Sequence, residues 1–88
     1  MIDDPKVIEQ IRGILALSHE TPIEEGCEII PKSLTPIEMA LMEFTWAGGF
    51  IEGCDHCGVI SEETRIMLTH ERSKILMHDL MNGGLKYD

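Results

Sequence analysis

An 88-residue chain with 43% hydrophobic residues can build one modest core and no second one, so a single domain over residues 1–88 is expected. Its formal net charge of −9 opposes direct binding of a phosphate backbone, and no run approaches the ~18 apolar residues of a membrane span. Asp3 and Asp4 stand where a secretory signal carries basic groups, and three cysteines are an odd number for a disulfide framework, so a reduced, cytoplasmic protein is expected.

A first helix is predicted with Asp4 as its cap and Pro5 at its first position, running to about Ser18. Val7, Ile8, Ile11, Ile14, Leu15 and Ala16 or Leu17 follow the three-and-four spacing of an amphipathic face. Gly13 inside it costs ~1 kcal/mol relative to Ala. From His19 to Leu34 the periodicity stops, and Pro22, Gly26 and Pro31 break the segment into a long loop, with one turn around residues 23–25. Its apolar Ile23, Cys27, Ile29 and Ile30 suggest packing across the helices, and a loop of this length is a place to look for function.

Thr35 to Leu80 carries the start, turn and stop signals of a helical hairpin. Thr35 caps the second helix, Pro36 sits where a missing N–H costs nothing, and Glu38 completes a capping box by reaching back to the Thr35 amide. Gly58 supplies a left-handed stop, Ser61 caps the third helix, and Glu62 and Glu63 lie in its first turn, where negative charge is favoured. Asn82, Gly83 and Gly84 end it, with Leu85 placed to fold back. Two helices of roughly twenty residues joined by so short a turn must run antiparallel. The expected fold class is therefore all-α: a small three-helix domain built on an antiparallel hairpin, with a long loop between the first and second helices.

Within the second helix Ile37, Ala40, Phe44, Ala47, Ile51 and Cys54 alternate steps of three and four, as a packed seam requires. Its small members, with Gly48, Gly49 and Gly53 beside them, would admit a close backbone, either of a neighbouring helix or of a second copy in a homo-oligomer. In the third helix Ile66, Thr69, Ser73, Leu76 and Leu80 form the stripe expected to face the core. Met67, His70, Lys74, Met77 and Met81 form a second stripe. Polar groups mixed with flexible thioethers suit a recognition surface, which Met39 and Met42 would extend, although methionines also serve as gap-fillers in small cores.

No arrangement of residues states a catalytic chemistry. Cys54 and Cys57 form a lone Cys-x-x-Cys; Cys27 and His56 could join them around zinc only through an unusual local chelate, so no metal or other cofactor is expected. A redox role is opposed by position, since the pair falls at a helix C-terminus, where the dipole disfavours a thiolate, and inert, partly buried thiols are expected. His19, His56, His70 and His78 are scattered, without an evident carboxylate partner. Glu24 and Glu25, like Glu62 and Glu63, are sequence neighbours and do not face each other on a helix. The chain is therefore expected not to be an enzyme.

Charge is concentrated in the middle: residues 13–64 hold Lys32 against ten acidic groups. An acidic exterior keeps a small protein soluble and also suits a basic groove on another protein. The preferred expectation is a non-catalytic protein–protein interaction module that docks an acidic, methionine-containing helical surface, with Glu24, Glu25, Glu28, Met39, Met42, Met67, His70, Met77 and Met81 as its contact residues. Small acidic chains without catalytic motifs include adaptors and inhibitors, some of them short bacteriophage products. The alternative is a nucleic-acid mimic, with Glu20, Glu24, Glu25, Glu28, Glu38 and Glu43 imitating phosphates in a basic groove.

Two short stretches resemble known patterns. Ser33-Leu34-Thr35-Pro36-Ile37-Glu38-Met39 resembles the acyl carrier protein pattern, in which a Ser-Leu pair opens an acidic helix; the resemblance would make Ser33 the carrier of phosphopantetheine. Lys32 stands where that family has an aspartate, and Pro36 and the Gly48-Gly49 pair depart from its second helix. Gly58-Val59-Ile60-Ser61-Glu62-Glu63-Thr64 is similar to the turn of a helix-turn-helix, but its spacing differs by one and two glutamates would open the recognition helix, where phosphates would repel them.

Overall fold

The computed structural model describes residues 1–20 and 34–85. Three helices, α1 (Pro5–Glu20), α2 (Pro36–His56) and α3 (Glu62–Met81), account for the regular structure of these residues, and no strand occurs among them. The protein is all-α.

Each helix start is built as its residues dictate. The Lys6 amide donates to the Asp4 carboxylate (3.0 Å) at the start of α1. At α2 the capping box is complete: the Glu38 amide donates to Thr35 Oγ1 (3.2 Å) and the Thr35 amide to Glu38 Oε1 (3.1 Å). Ser61 Oγ accepts from the Thr64 amide (3.2 Å) at α3. The turn between α2 and α3 uses Gly58 at φ +80°, a value that favours glycine. Asp3, itself at φ +57°, clamps that turn: its amide donates to the Val59 carbonyl (3.1 Å) and its carboxylate accepts from the Ser61 amide (2.8 Å). The N-terminus therefore helps to cap α3.

Antiparallel α2 and α3 pack along each other, and α1 leans on α2. The apolar core gathers toward the turn, where Ile51, Ile60 and Leu68 are fully buried with Ile11, Leu15 and Ala47, and Val7, Ile8, Phe50 and Cys54 border them. Toward the open end of the hairpin the interior becomes polar. Buried Arg72 of α3 is ion-paired with buried Glu43 of α2, and Ser18 of α1 donates to the Leu15 carbonyl (2.8 Å), with Glu43 Oε1 at 3.4 Å.

Several expectations need correction. The buried stripe of α3 is Thr64, Leu68, Arg72 and Asp79, whereas Ile66 and Leu80 of the expected core stripe are exposed and Thr69, Ser73 and Leu76 are half-buried. Three of the four buried positions are polar, so hydrophobicity pointed about a third of a turn away from the true inner face. In the expected seam of α2, Ala40, Ala47 and Ile51 are buried, but Phe44 and Gly48 are half-buried, Ile37 and Gly53 are exposed, and Glu43 is buried instead. A Cβ added at Gly48, Gly49 or Gly53 meets nothing within 4 Å, so the close backbone approach expected there is not made within the described residues. α1 continues through His19 to Glu20, two residues beyond the expected end.

Candidate functional site

Three places in the fold gather chemically distinctive side chains. The first is a groove of about 560 Å³ between α1 and α3, bordered by Arg12, Leu15, His19, Glu71, Ile75 and Asp79 among others. α1 reaches α3 here through side chains: Arg12 Nη2 donates to Glu71 Oε1 (2.9 Å), and His19 Nε2 lies 2.9 Å from Asp79 Oδ2. The neighbouring carboxylate holds the Arg12 guanidinium above its ordinary pKa, through hydrogen bonding and direct attraction. These groups are engaged with each other. The Nε of Arg72, by contrast, is buried and meets no acceptor among the described residues.

The second place is the outer edge of α3. Met67, His70, Met77 and Met81 are all exposed there, Met77 at 64% and Met81 at 84%. Met67 is also touched by Arg12, whose Nη2 lies 3.9 Å from the sulfur. Met39 and Met42, on α2, are half-buried. The second stripe of α3 is thus open at Met67, His70, Lys74, Met77 and Met81. The acidic members of the expected contact set, Glu24, Glu25 and Glu28, lie outside the described residues, as do Cys27 and Ser33.

The third place is the end of α2. Cys54 is half-buried, whereas His56 and Cys57 are exposed, so Cys57 is more open than the partly buried thiol expected. Burial, with a smaller contribution from Cys57, pushes the Cys54 thiol up, which keeps it protonated and a poor nucleophile. Asp55 is ion-paired with Arg65 across the turn (3.1 Å). Among the described residues no group of three or more His, Cys, Asp or Glu is placed to hold a metal ion.

Sequence reasoning missed both interior polar contacts, Glu43–Arg72 and His19–Asp79. A signal was present: Thr64, Leu68, Arg72, Ile75 and Asp79 follow steps of four, four, three and four. Charged members of a stripe read as solvated unless their partners are known, and here the partners lie on other helices, 29 and 60 residues away in sequence. Glu43 is thereby withdrawn from the set of carboxylates that could imitate phosphates, and Glu38 is engaged in its capping box. No helix among the described residues is long and apolar enough to cross a membrane. Compared with family models, with curated proteins and with solved structures, the chain matches none of them.

Proposed function

We propose that the protein is a non-catalytic interaction module that docks on a second, different protein through the outer edge of α3, with Met67, His70, Met77 and Met81 at the contact. The observation that carries this reading is the exposure of Met67, Met77 and Met81 together on one helix. Apolar side chains left in water along one helix are a cost that burial against a partner removes, and unbranched thioethers adapt to an irregular surface. The acidic character of the chain adds steering toward a basic partner, which raises the encounter rate more than the final affinity.

Photo-reactive methionine incorporated throughout the chain tests it. Crosslinks to one different protein should arise from Met67, Met77 or Met81 and not from half-buried Met39. Crosslinks only between copies of this chain, or none, end the proposal. Adding salt separates the mimic alternative, which predicts a complex that weakens steeply as ionic strength rises, from apolar docking, which does not.

A further inference from the structure

The hairpin of α2 and α3 has two flanks, and α1 occupies one of them. Ser18 lies against Glu43, Arg12 against Met67 and Glu71, and His19 against Asp79. Helical phase places the opposite flank on Ile37, Leu41, Phe44 and Gly48 of α2, and on Thr69, Ser73, Leu76 and Leu80 of α3, with Met77 at its border. Both rows step by four, three and four. None of these residues is charged, in a chain with 16 acidic and 7 basic residues. Ile37, Leu41, Met77 and Leu80 are exposed, Leu41 at 46%, and Phe44 and Leu76 are half-buried. The middle of the flank is low: a Cβ at Gly48 would meet nothing within 4 Å among the described residues, and the Ser73 hydroxyl is turned back onto the Thr69 carbonyl (3.0 Å).

We infer that this flank is the contact between two copies of the chain, hairpin against hairpin about a two-fold axis. Charge selects the occupant. Two molecules of net charge −9 repel, and they can meet without opposing like charges only across a face that bears none. A basic protein would be drawn to the acidic surfaces instead. The same rows continue toward the turn through Glu52 and Asp55 on α2 and back through Ile66 to Glu62 on α3. Antiparallel overlap of the two open halves sends those acidic turn ends in opposite directions. Self-contact of this kind is isologous, so each apolar residue meets the partner's copy of the same patch.

The size of the face bounds the contact. Twelve residues at 1.5 Å rise give roughly 17 Å of length, and two helices side by side give about 20 Å of width. Allowing for side-chain relief, such a pair buries on the order of 1,000 Å² in total, the lower edge of specific interfaces. An interface of this size belongs to weak, concentration-dependent association. This contact shares only the border residue Met77 with the docking edge of α3, and Leu41, on the other helix, tests it apart from that docking.

Sedimentation equilibrium of the full chain from about 1 µM to about 1 mM should show reversible monomer and dimer. Leu41→Glu and Leu80→Glu should each raise the dissociation constant at least about tenfold with helical circular dichroism retained, whereas Ile14→Glu on α1 should leave it unchanged. Should a variant unfold, isotope-filtered NMR on mixed labelled and unlabelled wild-type chains must show contacts between copies at the Leu41 and Leu80 methyls. A monomer at every concentration, a dimer broken by Ile14→Glu alone, or a dimer without those methyl contacts overturns the inference.

Discussion

Arg72 of α3 and Glu43 of α2 form a buried ion pair where the hairpin opens, a charge pair held between these two helices. Removing one partner leaves the other charge buried and unpaired, which costs about 3–5 kcal/mol. Arg72→Ala should therefore lower the urea midpoint by a large fraction of the stability of so small a domain. The pair itself is not where stability comes from, because desolvation offsets most of the attraction. The double variant Glu43→Met with Arg72→Met should recover most of the loss, and a full double-mutant cycle measures the coupling. An additive double variant would mean that the two side chains do not act as a pair.

Gly84 follows α3 at φ +95°, and a Cβ there would stand 2.2 Å from the Pro36 carbonyl carbon. This close approach lets the Leu85 amide donate to the Pro36 carbonyl (2.8 Å), tying the end of α3 to the start of α2. A Cβ at Gly83, at φ +89°, would meet nothing within 4 Å among the described residues. Gly83→Ala should cost only the left-handed backbone term, about 1–2 kcal/mol. Gly84→Ala adds a backbone clash and should cost more, with faster amide exchange at Leu85 than in the Gly83 variant.

Asp3 predicts an acid response. Its hydrogen bonds from Ser61, side chain first and then backbone, hold its carboxyl below the ordinary value of 3.8. A depressed carboxylate contributes stability that is present above its unfolded pKa and is lost as pH falls through the folded value. Thr35 acts on Glu38 in the same direction, from an ordinary value of 4.5. Urea midpoints measured downward from pH 6 should fall below about pH 4, and Asp3→Asn with Glu38→Gln should flatten that fall. Identical slopes in variant and parent would show that neither carboxylate is held by its cap.

Much of the fold was legible because it rests on local chemistry. Thr35, Pro36, Glu38, Gly58 and Ser61 act within a few residues of themselves, and each does in the structure what its type and spacing imply. The inner face of α3 was not legible, because Arg72 and Asp79 are buried by virtue of Glu43 and His19, partners far away in sequence. Misplacing that face also hid the uncharged flank, since Leu76 and Leu80 were assigned to the core. Spacing set Met67, Met77 and Met81 on a stripe of their own, but whether they fill the core or face outward was open until the inner face of α3 was located.

Ala47 and its glycine neighbours lead to predictions of opposite sign. Ala47 is fully buried against the core, so Ala47→Leu overpacks it and should cost ~1–3 kcal/mol. Gly49 and Gly53 are exposed within α2 and have room for a Cβ, so nothing among the described residues repays their conformational cost. Gly49→Ala and Gly53→Ala should each stabilise the monomer by about 0.5–1 kcal/mol, read as a higher thermal midpoint at a concentration low enough to prevent association. If either alanine instead weakens self-association at high concentration, the contact between copies would have to be moved to that side of α2 from the uncharged flank.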